Sequence, residues 1–315
     1  AGTGSGNAGF IEVSAFDQLG FYGILNGRAP PGYNLGTAII DPSNTSIGNI
    51  DPQGSNEFGT AFDINTTIYT KNSIEIAGNV SLGDGITLNL FADHNSEIEG
   101  NWDDGIGEII NTGSYTITGT SATLNIKAGD GIGTSDSPIK TDVFNLSAEI
   151  NPSSSGDIYL SQGSTDLNIT SLTTPSGTVN LSSLGAIIDG NDSSNNITAT
   201  DLILSASTGI GSSNDPLETE VSSINATTTE EDAPIYIEEY DDLTTLIVEV
   251  NNSDAKIYFS GEDDDKYLTV ADGSLEAYAV GTNISFKNTG GSLNVDEVTA
   301  GGWIKISANG DNGVE

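Results

Sequence analysis

Acidic side chains are the residues of this sequence best suited to chemistry, because two groups of them are closely spaced. One group is Glu262, Asp263, Asp264 and Asp265, and the other lies within residues 189–192, which read DGND. Carboxylates crowded into a polar turn are the oxygen ligands that Ca²⁺ prefers. The sequence contains no Asp-x-Asp-x-Asp-Gly loop with a closing Glu, so we interpret both groups first as solvated turns. Calcium at 262–265 is the one metal site, and the one cofactor, that the residues suggest.

Asparagine sequons are the second chemical feature of the chain. The pattern Asn-x-Ser/Thr marks surface positions that can accept a glycan. A chain rich in Asn, Ser and Thr also generates this pattern by chance, so a glycan site and a plain polar surface both stay open. The candidate positions are Asn44, Asn65, Asn79, Asn145, Asn168, Asn180, Asn191, Asn196, Asn225, Asn251 and Asn283.

The sequence contains few candidate catalytic residues. His94 is the single histidine, and nothing in the sequence marks a serine nucleophile for it. Paired carboxylates could serve a glycoside hydrolase, and Trp102 and Trp303 could stack on sugars. Holding an anionic polysaccharide requires basic groups that stabilise developing charge, whereas the chain has 8 Lys and Arg residues, of which Arg28 is the only arginine. We therefore predict a protein that is not an enzyme and keep a carbohydrate-active enzyme as the catalytic alternative.

The net charge of the chain limits its partners. The 315 residues include 45 acidic and 8 basic side chains, for a formal net charge of −37. Such a field repels nucleic acid and anionic membrane surfaces. No apolar run approaches the roughly 18 residues of a membrane span, and the absence of cysteine excludes disulfides. We expect no nucleic-acid partner and no membrane insertion, and the composition favours an exported surface protein.

Short apolar-polar alternation dominates the elements that must position these groups. Segments such as TLNIKA at 123–128 and DLILSA at 201–206 alternate with a period of two, so one face can be buried and the other hydrated. Turn residues separate the segments, and no helical period is sustained, which predicts an all-β fold. The predicted core residues are Leu124, Ile126, Ile158, Leu167, Ile169, Val179, Leu181, Leu202, Leu204, Ile235, Ile237, Ile257, Phe259, Ile304 and Ile306.

An internal repeat favours a β-solenoid over a sandwich. Residues 131–143 read GIGTSDSPIKTDV and residues 209–221 read GIGSSNDPLETEV, with Ile132 and Ile210 at the same place in each copy. The similarity extends over repeat units near 122–160 and 200–238. Stacked repeats explain a constant offset between such copies, and the strand spacing suggests roughly fourteen rungs of about 20–25 residues each. The repeat then preserves a corner of the scaffold.

The first part of the chain resembles a known family. It contains GNAGFIEVSA at 6–15 and GILNGRAPPGYNLGTAIIDPSNTSIG at 23–48. Residues 10–14, 29–32 and 39–42 are similar to the apolar-Glu-apolar-Ser, Ala-Pro-x-Gly and Leu-Leu-Asp-Pro patterns of filamentous haemagglutinin-like exoproteins. The resemblance implies a right-handed parallel β-helix, with the end of a secretion-domain-like β-helix at 1–60 and a continuous repetitive β-helix at 61–315. It also implies two-partner secretion, in which a partner outer-membrane transporter exports the chain.

These observations lead to two expectations about function. The first is an extracellular structural and adhesive rod at the cell surface, a segment of a large secreted protein that attaches to cells or surfaces through surface or glycan ligands. The second is a self-assembling subunit of an extracellular filament, sheath or surface layer. Both share the fold, but self-assembly requires contacts between chains, which the unpaired edges at solenoid ends can supply.

Overall fold

The computed structural model of the chain describes the backbone over residues 6–21, 23–48, 60–94, 104–231, 233–240, 245–251, 255–259, 266–271, 274–278, 283–288, 294–299 and 304–308. Side chains are described over the same residues as far as 240, except at 231, and at Val248. The chain divides into two compact units, Ala1–Gly163 and Ser164–Glu315. The predicted boundary near residue 60 stays a prediction.

Strands are the only regular secondary structure in the described residues of the first unit. These strands are β1 (Phe10–Phe21), β2 (Gly23–Leu25), β3 (Thr37–Ile47), β4 (Thr60–Phe62), β5 (Asn65–Thr70), β6 (Ile74–Ile76), β7 (Val80–Leu82), β8 (Thr87–Ala92), β9 (Glu108–Asn111), β10 (Thr116–Ala128), β11 (Gly131–Ile132), β12 (Ile139–Ile150) and β13 (Ile158–Gln162).

Strands are also the only regular secondary structure in the described residues of the second unit. Its strands are β14 (Leu167–Thr173), β15 (Thr178–Ser183), β16 (Ile187–Asp189), β17 (Ile197–Ala206), β18 (Leu217–Glu231), β19 (Ile235–Glu239), β20 (Thr245–Asn251), β21 (Ala255–Phe259), β22 (Lys266–Ala271), β23 (Ser274–Tyr278), β24 (Asn283–Asn288), β25 (Asn294–Thr299) and β26 (Ile304–Ala308).

Parallel pairing stacks these strands into a β-solenoid of about nine turns, which confirms the predicted fold class. In the first unit Leu124 lies between Leu88 and Leu146 on neighbouring coils. In the second unit Val179 pairs with Leu202 in the same manner. Because side chains alternate along a strand, each stack places one column of apolar residues inside and one column of polar residues outside.

An antiparallel segment interrupts the pattern once among the described strands. Strand β22 pairs antiparallel with β21 and with β23. Parallel pairing continues around it, because β20 pairs with β24 and β24 pairs with β26. The antiparallel strands are therefore an insertion between two successive coils.

The interior of the solenoid consists of the predicted apolar columns. Eleven of the predicted core residues lie within the described side chains, and each is at most 1% exposed. Burying an aliphatic side chain of this size stabilises a fold by about 1.5–3 kcal/mol. The side chains of the other four, Ile257, Phe259, Ile304 and Ile306, lie outside the described residues.

The number of turns differs from the sequence-based expectation of roughly fourteen, since the structure has about nine. The reason is uneven coil length. Asn125 bonds to Ser147, which lies 22 residues later, but on its other side it bonds to Asn89, 36 residues earlier. Loops and short extra strands enlarge some coils, and alternation along the chain does not reveal them. No helix among the described residues has the length and apolarity needed to cross a membrane.

Candidate functional site

The repeated turn at residues 131–143, here called the first corner, leaves the solenoid wall and returns to it. Ile132 pairs with Ile158, and Ile139 pairs with Leu160. The chain from Ile132 to Ile139 is thus longer than the stretch of the next coil that it faces. The residues between the two isoleucines form a turn that projects from the wall, while both isoleucines stay fully buried.

The turn at residues 209–221, the second corner, has the same geometry in its own unit. Ile210 pairs with Ile187 and Ile235, and Leu217 pairs with Ile237. Ile210 and Leu217 have no exposed surface. Ile132 and Ile210 therefore occupy matching buried ladder positions, each within its own unit. That they lie on one stacked axis stays a prediction.

Matching glycines in the two corners have the same conformation and donate equivalent backbone hydrogen bonds. Gly133 has φ 66° and donates its N–H to the Ile109 carbonyl at 2.8 Å. Gly211 has φ 61° and donates to the Ile187 carbonyl at 2.8 Å. This left-handed conformation favours glycine. A Cβ at Gly133 would also lie 2.6 Å from the Tyr159 carbonyl oxygen, so both the conformation and the space require glycine here.

A neutral amide supports the first corner from the preceding coil. Asn111 accepts a hydrogen bond on Oδ1 from the N–H of Gly113 at 3.3 Å. Its Nδ2 donates to the carbonyl oxygens of Tyr115 at 2.9 Å and Pro138 at 3.2 Å. The Ser137 hydroxyl completes the contact by donating to the Asn111 carbonyl at 2.6 Å. Every polar atom of the Asn111 side chain therefore has a partner.

A carboxylate replaces this amide in the second corner. Asp189 stands at the position of the second copy that matches Asn111 in the first, and its Oδ1 accepts from the N–H of Asn191 at 2.8 Å. Asn196, which is fully buried, donates Nδ2 to Asp189 Oδ1 at 2.6 Å and to the Ile169 carbonyl at 2.8 Å. The Oδ1 of Asn196 accepts from the N–H of Glu218 at 2.8 Å. These bonds fix one oxygen of Asp189 and leave the other, Oδ2, buried without a hydrogen-bond partner.

Further carboxylates lie near Asp189 or near Glu218 in the second corner. Burial, followed by the charges of Asp189, Glu238 and Asp215, raises the pKa of Glu218 to about 7. The Oε2 of Glu218 is also buried without a partner. Burial, then the charge of Asp189 and a side-chain contact with it, raises the pKa of Asp215 as well. The second corner is thus a cluster of carboxylates in which neighbouring negative charges help to raise the pKa of Asp215 and Glu218.

Four matched positions around the two corners make the second corner more negative than the first, whereas Asp136 with Asn214 differs in the other direction. The first three pairs keep the offset that separates Ile132 from Ile210, and the last pair is shifted by a single position. The pairs are Asn111 with Asp189, Ser137 with Asp215, Lys140 with Glu218, and Ser161 with Glu238. The positions carry one formal positive charge in the first corner and four formal negative charges in the second. Sequence reasoning singled out residues 189–192 but missed Asp215 and Glu218, which comparing the two repeats position by position could have found.

A buried side chain on the next coil clamps the first corner. Gln162 Oε1 accepts from the Thr141 hydroxyl at 2.6 Å and from the Val143 N–H at 3.4 Å. Its Nε2 donates to the Val143 carbonyl at 2.8 Å. Gln162 is 2% exposed, so these bonds act in a site that water does not reach.

Glutamate takes the place of this glutamine in the second corner. Glu239 Oε2 accepts from the Thr219 hydroxyl at 2.5 Å, and Oε1 accepts from the Val221 N–H at 3.1 Å. Glu239 is 1% exposed. The acidic character of the second corner thus extends to the side chain that closes it.

The predicted sequons occupy several kinds of position. Asn44, Asn65 and Asn79 use Oδ1 to accept a backbone N–H from a later strand or its flank. Asn145, Asn168, Asn180, Asn191 and Asn225 are half-buried on the outer face. Asn251 and Asn283 lie in strands β20 and β24, and their side chains lie outside the described residues. Asn196 is buried with its amide nitrogen in two hydrogen bonds, and a glycan on that nitrogen is incompatible with those bonds.

The remaining sequence candidates lie elsewhere. The predicted calcium ligands Glu262, Asp263, Asp264 and Asp265, together with Trp102 and Trp303, lie outside the described residues. In the part of the chain that is described, no three or more His, Cys, Asp or Glu residues form a group that could hold a metal ion.

The single histidine lies near a polar cleft. His94 is 2% exposed, and its ring lies 5.3 Å from that of Phe91. The neighbouring Asp93, at φ 63°, accepts the backbone N–H groups of Asp104 and Gly105 at 2.8 and 2.9 Å. Asp104 and Gly105 also line a cleft of about 450 Å³. The other lining residues are Asn151, Ser153, Ser154 and Ser155. This lining contains no basic residue that would hold an anionic substrate.

The comparisons with known proteins give no relative. No family model, no curated protein and no solved structure matches the chain. The structure by itself identifies a β-helical repeat protein.

Proposed function

We propose that the chain is an extracellular structural and adhesive β-solenoid, a segment of a large secreted surface protein that mediates attachment to cells or surfaces. The observation that carries this proposal is the repeated corner. Ile132 and Ile210 keep the same buried ladder position, while the outward residues of the two corners differ in chemistry. A protein selected as a scaffold preserves the wall and varies the surface, as repeat proteins do.

The outer face offers organised polar groups for attachment. Asn89 donates to Thr67 at 2.9 Å, Asn125 donates to Asn89 at 2.8 Å, and Ser147 donates to Asn125 at 2.7 Å. Hydrogen-bonded ladders of this kind hold amides and hydroxyls at the regular spacing of the strands, about 4.8 Å. They provide a fixed array for glycans or host surfaces, and the proposal contains no catalytic step.

The resemblance to filamentous haemagglutinin-like exoproteins supports the export route in this proposal. In that route a partner outer-membrane transporter releases the chain at the cell surface. The resemblance lies in short patterns within residues 6–48, and the β-solenoid fold is compatible with it. An acidic chain without cysteine is also compatible with folding after export, because no disulfide must form.

Adhesion can be tested with the purified chain. Beads coated with the chain are expected to bind host or neighbour cells above the level of beads coated with an unrelated acidic protein. Antibody labelling of the native cell surface in the electron microscope should reveal scattered projections. Coated beads that bind no better than the control across cell types and surfaces would contradict the adhesive role.

A second candidate function is a self-assembling subunit of an extracellular filament, sheath or surface layer. Exposed apolar side chains near the start of the chain favour it, since Phe10, Phe16 and Ile24 are 58%, 99% and 72% exposed. Apolar groups that project from a solenoid wall are suited to contacts between chains. Sedimentation at increasing concentration tests this alternative, and a chain that stays monomeric at high concentration would count against it.

A further inference from the structure

The second corner carries carboxylates that the fold does not require. The first corner has the same backbone with Asn111, Ser137 and Lys140 at the positions of Asp189, Asp215 and Glu218. A neutral amide, a hydroxyl and an amine therefore satisfy the same turn. The turn does not require the three carboxylates, and their like charges in a partly buried site oppose folding. Their clustering therefore needs an explanation other than the fold.

We propose that the second corner is a binding site for a divalent cation of the Ca²⁺ type, with Asp189, Asp215 and Glu218 as its ligands. The proposal adds a cation site to the scaffold and does not depend on the adhesive role.

Two buried carboxylate oxygens at the second corner accept no hydrogen bond. Asp189 is 7% exposed and Glu218 is 5% exposed. The Oδ2 of Asp189 and the Oε2 of Glu218 have no hydrogen-bond partner. Buried ionised groups are normally paired or coordinate metals. The ion pairs of the described residues, Arg28 with Asp63 and Lys127 with Glu149, lie elsewhere.

The position of Asp189 Oδ2 follows from the first corner. Asn111 and Asp189 both use Oδ1 to accept the N–H two residues later. The Oδ2 of Asp189 then stands where Asn111 carries Nδ2, the donor to the Pro138 carbonyl. The repeat thus replaces a donor by an oxygen in surroundings that already supply oxygens. An environment made of carboxylate and carbonyl oxygens matches the ligand preference of Ca²⁺.

The third ligand comes from the exposed turn. Asp215 projects from the wall and interacts with Asp189 through its side chain. The described residues contain no group of three or more His, Cys, Asp or Glu already placed to hold a metal ion. The proposal therefore requires the exposed Asp215 side chain to move onto an ion bound by Asp189 and Glu218. Such adjustable geometry favours Ca²⁺ over Mg²⁺, which demands near-ideal octahedral coordination.

Calorimetric titration of the full chain tests the site. With CaCl₂ in about 150 mM NaCl, which screens diffuse binding to an acidic surface, we expect one saturable step per chain from this corner. Asp189→Asn and Glu218→Gln should each weaken that step about tenfold or more, because each removes a ligand charge without changing shape. Asp136→Asn is the matched control, since it removes a carboxylate from the exposed turn of the first corner and should leave the step unchanged. MgCl₂ should give a weaker step or none.

Thermal melting separates loss of a ligand from loss of folding. Without Ca²⁺ and with a chelator, Asp189→Asn should melt at the same temperature as the wild type or higher, because the amide relieves charge repulsion. Addition of Ca²⁺ should raise the melting temperature of the wild type and of Asp136→Asn, but not that of Asp189→Asn. A wild-type chain without a Ca²⁺ step, or a step that survives both substitutions, would overturn the proposal. So would a melting temperature that responds to pH and not to Ca²⁺, which would mean that protons alone neutralise the cluster.

Discussion

The first and second corners follow one backbone path, but the second carries more negative charge. Ile132 and Ile210 lie in matched ladders, and Gly133 and Gly211 make the same bond with the same conformation. Residues 131–143 contain Asp136, Lys140 and Asp142, whereas residues 209–221 contain three carboxylates and no basic residue. Glycine and the buried aliphatic residues set the path of the chain, whereas the polar side chains beside them can change without altering it.

The comparison distinguishes positions that fix the backbone path of the repeat from positions whose side chains can vary. Apolar columns and left-handed glycines leave little choice of residue, because a cavity or a clash is costly in a close-packed wall. Polar positions tolerate an amide, a hydroxyl or a carboxylate, provided that each buried group finds a partner. The second corner departs from that condition at Asp189 and Glu218, and a site for an ion is expected where such a departure occurs.

The largest expected effect tests whether the corners are equivalent in the core. Ile132→Ala and Ile210→Ala should each lower the free energy of unfolding by about 2–5 kcal/mol, since each removes a fully buried side chain and leaves a cavity. Denaturant unfolding followed by circular dichroism measures both variants. Exposed Ile203→Ala serves as the control, with a much smaller loss. A tolerated substitution at one corner and a severe one at the other would break the equivalence.

The next expected effect is a pH dependence of the unfolding free energy that comes from the second corner and not from the first. The folded pKa of Glu218, about 7, lies above the ordinary value of 4.5 because of burial and the carboxylates of Asp189, Glu238 and Asp215. The folded chain therefore binds this proton more tightly than the unfolded chain does. The stability from this group is fully present below about pH 4.5 and is lost as the pH rises through about 7, by up to about 3 kcal/mol.

Unfolding free energies at pH 4.5, 6 and 7.5, measured with a chelator present, check this dependence. The difference between the wild type and Glu218→Gln isolates the group from the general effect of an acidic chain. Lys140→Gln, at the matched position of the first corner, is the control and should not change the pH profile. Identical slopes for the wild type and Glu218→Gln would contradict the expectation.

Sequence patterns predicted the wall of the solenoid better than its corners. Alternation identifies buried residues such as Leu124 and Leu202 because a strand turns every second side chain inward. The constant offset between the two copies identified Ile132 and Ile210 as equivalent because stacking repeats one local geometry. Coil length escaped prediction, since a loop that leaves the wall between two strands does not disturb the alternation on either side.

The carboxylate cluster escaped prediction for a related reason. Asp189 and Glu218 lie far apart in the sequence, and only the register of the coils brings them together. Asn196 illustrates the same limit, because its sequon looks like a surface site while the fold buries it. The order of residues along a coil is readable from the pattern, but contacts between coils depend on loop lengths that the pattern does not contain.

A smaller effect is expected from exchanging the clamps of the two corners. In Gln162→Glu an oxygen replaces the Nε2 that donates to the Val143 carbonyl at 2.8 Å. A buried acceptor then faces another acceptor, at a cost of about 1–3 kcal/mol. Glu239→Gln should cost less than about 1 kcal/mol, since one amide oxygen can still accept from Thr219 or Val221. Thermal melting compares the two, and equal losses would show that the corners do not distinguish amide from carboxylate.

The smallest effect lies on the outer face and compares two ladders. Asn125 bonds to Asn89 and Ser147 on the neighbouring coils, whereas Asn225 pairs with Ile203 and Ile247. Asn125→Ala should lower the free energy of unfolding by about 1 kcal/mol, because two hydrogen bonds in a half-buried ladder are lost.

Asn225→Ala should change stability by less than about 0.5 kcal/mol, since its ladder neighbours are isoleucines, whose side chains cannot bond to its amide. Urea midpoints of the two variants, measured side by side, give the comparison. An equal loss at both positions would mean that the amide acts through its own strand and not through the ladder. A loss at Asn125 alone would show that hydrogen bonds between coils stabilise the polar face of the first unit, in addition to the apolar columns inside.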